Sequence, residues 1–181
     1  MSAMALPFEK TFKTNKHLGL SVEKPLIPDF VRRVAQENGF QEKSEVHISV
    51  VVTKNAVGMW RACGAEKSSS IEMLFNSYAW GYSLTDEYFL HERRYSLQDL
   101  SENGYAADIP EHTRRTIVQK VVLPDLSAFY GKVNTMLDIS LPVPVPHITL
   151  FTWSDYEPFK MRGIGINSAE EFARFTVRRI S

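Results

Sequence analysis

The chain has a single cysteine, Cys63, among 181 residues, so it cannot form an internal disulfide. It has no excess of either charge, with 21 Lys and Arg against 21 Asp and Glu. That balance excludes a whole-molecule positive field able to grip long DNA or RNA by counterion release, and it favours small or short ligands over duplexes. No apolar run approaches the length of a bilayer span, so no membrane partner is expected. Residues 1–12 lack a basic segment followed by a long apolar stretch, so no secretory leader is expected, and with a lone cysteine the expected compartment is the cytoplasm. Metal-binding signatures are missing too: there is no HxH, no HExxH and no cysteine pair. There is no P-loop, and Gly163 and Gly165 lack the third glycine of a dinucleotide fingerprint, so neither a metal nor a cofactor is expected.

What is there is ordinary globular material: 44% hydrophobic, 12% aromatic and 23% charged residues. The length fits one domain over residues 1–181, or one compact unit built from two similar halves, with a monomer as the default state. Between Ile27 and Gly39, Pro stands near the start, Gly past the end, and apolar residues recur at helical spacing, which predicts an amphipathic helix. Residues 46–52 are β-branched and bounded by polar residues, which predicts a strand with His47 and Ser49 on one face and Ile48 and Val50 on the other. A second helix is expected over residues 123–137, with Leu126, Phe129, Tyr130, Val133, Met136 and Leu137 on one stripe. The Pro-punctuated stretch 141–146 resists helix and leads into a second strand over residues 147–153.

The order helix, strand, His-x-Ser/Thr therefore occurs twice, which predicts two halves related by a pseudo-twofold. Lys54 to Ser70 reads as loop, residues 88–90 as a short strand, 96–111 as irregular and 115–122 as a longer strand. Residues 163–166 read as strand-like, Ser168 to Glu171 as a capping box opening a short helix, and 176–180 as a closing strand. Strands outnumber helices without a regular βαβ series, so the expected class is α+β with two largely antiparallel sheets around a central cleft.

The chemistry is concentrated in His47-Ile48-Ser49-Val50 and His147-Ile148-Thr149-Leu150. Random placement of residues at this composition would give roughly 0.1 copies of His-apolar-Ser/Thr-apolar, so two copies are on the order of a 1% accident. A lone histidine on a half-buried strand is usually satisfied by the sheet or by water, but the pair on matching strands outweighs that reading. Residues i and i+2 of a strand lie about 7 Å apart on one face, so an imidazole and a hydroxyl can address one small anion. If the two strands lie side by side, the set suits a phosphodiester. Ser49 and Thr149 would donate hydrogen bonds to phosphoryl oxygens, while one imidazole deprotonates water and the other protonates the leaving oxygen. The sequence leaves open which histidine takes which role.

These two motifs, about a hundred residues apart, resemble those of the 2H phosphoesterase superfamily, whose members carry two H-x-T/S-x motifs. The resemblance implies a bilobal α+β fold with the motifs facing each other across a cleft, and metal-independent cleavage of phosphodiesters. It implies His47 and His147 as catalytic histidines and Ser49 and Thr149 as phosphate-binding hydroxyls. Substrates of such families include 2′,3′-cyclic nucleotides, RNA ends bearing a cyclic phosphate, ADP-ribose cyclic phosphate and 2′-5′-linked oligoadenylates. The first motif has Ser where many members have Thr, and residues 53–114 match no particular subfamily.

Among the aromatics, Trp80, Tyr82, Trp153 and Tyr156 are candidates for stacking on a nucleobase, set against the commoner role of packing. The arginine pairs at 32–33, 93–94, 114–115 and 178–179 could address a second phosphate, although solvated surface is their usual place. His17 stands in His17-Leu18-Gly19-Leu20, which lacks the hydroxyl, and with His91 and His112 it reads as structural or surface. Cys63 has no local signature of a nucleophile. The leading expectation is a phosphodiesterase acting on a small cyclic or 2′-linked nucleotide or a short RNA end. The alternatives are a nucleotide-binding module without turnover and an interaction domain in which the two motifs are only structural.

Overall fold

The computed structural model describes residues 3–4, 6–12, 15–103 and 105–181. The first half contains β1 (Ala3–Met4), β2 (Leu6–Phe12), β3 (Asn15–Ser21), α1 (Asp29–Glu37), β4 (Gln41–Glu42) and β5 (His47–Val51). A long helix, α2 (Thr53–Asn76), leads to β6 (Gly81–Tyr95), α3 (Leu97–Glu102) and β7 (His112–Val122). Then come α4 (Leu126–Leu137), β8 (His147–Ser154), a 3₁₀ turn over Glu157–Phe159, α5 (Ala169–Phe175) and β9 (Thr176–Ile180). The class is α+β, and among the described residues every strand pairing is antiparallel.

The strands join into one sheet in the order β1-β6-β7-β8-β5-β3-β2, with β4 added beside β8 and β9 beside β6. The two expected sheets are thus continuous, because β5 and β8 meet through the pair Ile48–Ile148. Outward from that pair the order is β5-β3-β2 on one side and β8-β7-β6 on the other. Each arm is built from two consecutive strands, a helix (α1 or α4) and a returning strand.

The main core lies on the sheet face that carries Ile48, Val50, Ile117, Ile148 and Leu150. Against it pack Val31 and Ala35 of α1, Ala56, Met59 and Phe75 of α2, and Phe129, Tyr130 and Val133 of α4. A smaller cluster on the opposite face joins Val118 to Ile164, Ile166 and Phe172. The α4 stripe holds as expected except at Met136, which is exposed.

The expected loop at Lys54 to Ser70 is instead most of α2. Gly58 inside the helix and the serine run at 68–70 obscure the signal, whereas Ala56, Met59, Cys63, Ile71 and Phe75 are buried at helical spacing. Gly58 also has a packing reason, since a Cβ there would stand 3.0 Å from Leu141 Cδ2. The short strand expected at 88–90 extends to fifteen residues as β6. Part of the irregular stretch is α3, fixed by a capping box between Ser96 and Asp99. Residues 163–166 join no ladder and cross the second face as a strap.

Candidate functional site

β5 and β8 pair at Ile48–Ile148, and an antiparallel register continued one residue either way from that pair would set His47 across from Thr149 and Ser49 across from His147. All four side chains then share the face opposite the main core, because Ile48 and Ile148 are fully buried in that core. In that register the two histidines would be diagonal neighbours, as would the two hydroxyls, about 7–8 Å apart with their Cβ atoms somewhat closer. That spacing accommodates one tetrahedral anion between two imidazoles and two hydroxyls.

Each motif strand is held from behind. Tyr130 of α4 donates its hydroxyl to the Val50 carbonyl at 2.9 Å, and Asn55 donates to Tyr130 Oη at 3.0 Å. The Pro-rich approach to β8 is clamped by Asn134, which exchanges two 3.0 Å hydrogen bonds with the Leu141 backbone. Asn55 also donates to the Pro142 carbonyl at 3.0 Å, and Val121 N–H to that of Pro146 at 3.0 Å. These bonds fix where the second motif begins.

His147 is 9% exposed. Its Nδ1 stands 2.8 Å from the Val145 carbonyl, an acceptor, so Nδ1 carries the proton and Nε2 is left for chemistry. Burial pushes its pKa below the ordinary histidine value, and the hydrogen bond to Val145 opposes that only in part. Thr149 is half-buried and its hydroxyl makes no hydrogen bond among the described residues. Gly163 of the strap approaches it closely, since a Cβ there would lie 3.5 Å from Thr149 Oγ1. In the first motif, Ser49 Oγ is 3.1 Å from His17 Nε2, and the His17 ring meets His47 edge to face at 6.1 Å. His17 therefore belongs to this cluster and not to the surface. Only the β3–β5 register, which pairs Gly19 with Ser49 and Ser21 with His47, could have revealed it.

A cavity of about 430 Å³ opens beside His47, with Ser21, Lys24, Ser44 and Glu45 in its wall. A second, of about 740 Å³, lies between α2 and α5, and none of the four motif residues lines it. Among the described residues no group of three or more His, Cys, Asp or Glu is placed to hold a metal ion. Among them, too, no helix is long and apolar enough to cross a membrane.

The four aromatic candidates are not brought to the motifs. Trp80 is 1% exposed, packed on Phe75, Tyr78 and Phe129 in the main core, with its Nε1–H donated to the Phe75 carbonyl at 2.7 Å. Tyr82 is likewise a buried member of that core, so neither presents a ring face to a base. Trp153 is turned away by a bulge. The β7–β8 register pairs Val118 with Thr149 but Ile117 with Phe151, so Leu150 is the extra residue and the alternation reverses beyond it. Trp153 consequently shares the opposite face with Arg115, whose guanidinium lies 4.8 Å from its ring. Tyr156 packs on His112 and Phe159 in an aromatic cluster around Arg114.

Two arginines expected at the surface, Arg93 and Arg114, are buried as directly paired neighbours on β6 and β7. Arg93 binds Asp99 at 2.9 Å, and both guanidinium groups stack on Tyr95. His91 and His112, also expected to be structural or surface, are both buried. Comparison of the chain with family models, with curated proteins and with solved structures gives no match in any of the three.

Proposed function

We propose that this chain is a two-histidine phosphoesterase with a pseudo-twofold, bilobal arrangement. Its reaction is the hydrolysis of a small cyclic or 2′-linked nucleotide phosphodiester, or of a cyclic-phosphate RNA end, with no metal ion required. One observation carries this reading: the two motif strands pair at Ile48–Ile148, the residue between histidine and hydroxyl in each motif. The mirrored order of the two arms supports it, as does the Thr149 hydroxyl, which makes no hydrogen bond among the described residues.

The environment of His147 separates the two roles. Burial favours its neutral form, so near neutral pH its Nε2 accepts the proton of an attacking water. The water oxygen bonds to phosphorus, the bond from phosphorus to the ester oxygen breaks, and that oxygen takes a proton from His47. Ser49 and Thr149 donate to the two non-bridging oxygens, whose charge grows in the transition state. Acid–base roles of this kind each contribute about 10²- to 10⁴-fold.

The test is incubation of wild type, His47→Ala and His147→Ala, all in chelator, with 2′,3′-cyclic nucleotides, 2′-5′ oligoadenylates and cyclic-phosphate RNA ends. Product from the wild type alone supports the mechanism. Full activity in His147→Ala removes it, and nucleotide binding without any product assigns the cleft to recognition instead.

A further inference from the structure

We infer that His17 is a positioning residue of this site, donating its Nε2–H to Ser49 Oγ so that the Ser49 proton is committed to the substrate phosphoryl group. The inference rests on the phosphodiesterase reading of the same four residues. A serine hydroxyl has one proton to donate and two lone pairs to accept with. At 3.1 Å, His17 Nε2 either takes that proton or gives one. If it takes it, nothing remains at Ser49 for a phosphoryl oxygen, and Thr149 is left as the sole hydroxyl donor. If it gives one, a lone pair of Ser49 is occupied and the hydroxyl proton is left to point into the cleft.

The two motifs differ in a way that explains why only one needs such support. Thr149 is β-branched, and its second Cβ substituent restricts χ1 on a strand. Ser49 lacks that methyl group, so its hydroxyl is free to swing among rotamers. His17 supplies from β3 the restraint that the methyl group would supply from within. The register makes this possible: Gly19, the residue paired with Ser49, has no side chain, so the imidazole two residues away reaches across.

The decisive variants are His17→Ala, Ser49→Ala, Ser49→Thr and the doubles His17→Ala/Ser49→Ala and His17→Ala/Ser49→Thr. They are assayed on whichever panel substrate the wild type turns over, and thermal unfolding identifies any variant that is not folded. His17→Ala should lower kcat/KM about 5- to 10-fold, the size of one ordinary hydrogen bond. In the Ser49→Ala background the same change should have a much smaller effect, because the route through Ser49 is gone and only the ring contact with His47 is lost. Threonine at position 49 should bring the His17→Ala enzyme back to within about twofold of wild type. Nitrogen-15 chemical shifts of His17 should report a proton on Nε2.

An equal loss from His17→Ala with and without Ser49, or no rescue by threonine in a folded double variant, overturns the inference and leaves the phosphodiesterase reading intact. A phosphoryl group trapped on Ser49 also overturns it, since His17 would then accept the proton of a nucleophile. A folded wild type that turns over none of the panel removes the underlying reading, and this inference with it.

Discussion

His91 should be the largest single contributor to a loss of stability in acid. It is fully buried on β6, 4.5 Å from the Phe172 ring centre, and neither ring nitrogen has a hydrogen-bond partner among the described residues. Burial, reinforced by the nearby His147, lowers its pKa to about 3 from an ordinary 6.5. The folded state therefore binds the proton more weakly than the unfolded chain does. The stabilisation is fully present above pH 6.5 and is lost as pH falls from there to about 3. One group titrating this way costs about 1.4 kcal/mol per pH unit, hence about 2 kcal/mol at pH 5 and an upper bound of about 5 kcal/mol by pH 3. His147 and His112, whose pKa values are lowered as well, add to the loss in the same direction below pH 6.5.

Replacing His91 with Phe removes two unpartnered nitrogens from a pocket already formed by Phe89 and Phe172. Such a change should be within about 1 kcal/mol of neutral at pH 7.5. Guanidinium titrations of wild type and His91→Phe at pH 7.5, 6.5, 5.5 and 5.0 test this. The variant should gain about 2 kcal/mol on the wild type by pH 5, with unchanged m-values. If the two proteins lose stability in parallel, His91 is not the group that titrates and its burial as a neutral ring is wrong.

Three further outcomes are expected. Ile48→Ala should cost about 2–5 kcal/mol by denaturant unfolding and depress activity beyond that, since Ile48 is both a core residue and the cross-strand partner of Ile148. Trp80→Ala should cost about 3–5 kcal/mol, while the milder Trp80→Phe should leave KM for any nucleotide unchanged; a raised KM in a folded Trp80→Phe protein would return this ring to the binding site. With His147 as base, kcat/KM should fall on the acid side with an apparent pKa below 6.5; a limb above 6.5 would contradict its buried, neutral environment.

The elements that carry the motifs were legible in the sequence because periodicity and punctuation agree there. Pro28 before α1 and Gly39 after it, the β-branched run of β5 and the Pro-rich lead into β8 each point one way. Where local signals conflict, tertiary packing decides. α2 holds Gly58 and a serine run yet forms a long helix, because one side of it is buried against β3 and α4. β6 was only partly visible, since its exposed and buried positions do not alternate cleanly and the register shifts between Leu84 and Tyr88.

The candidate site was legible only in part. The four motif residues follow from strand alternation, but alternation fails at the Leu150 bulge and sends Trp153 to the wrong face. His17 carries no motif of its own, and only the pairing of β3 with β5 brings it to Ser49. Arg93 and Arg114 look like surface charges until Tyr95 and Asp99 are placed beside them.

The central claim is that His47 and His147 add water across a phosphodiester. Hydrolysis of the panel nucleotides in H₂¹⁸O with chelator present, followed by mass spectrometry of the product phosphate group, tests it directly. The account predicts one ¹⁸O atom in the product from wild type and no product from His47→Ala or His147→Ala. Product formed without ¹⁸O, or formed equally by either histidine variant, would contradict it.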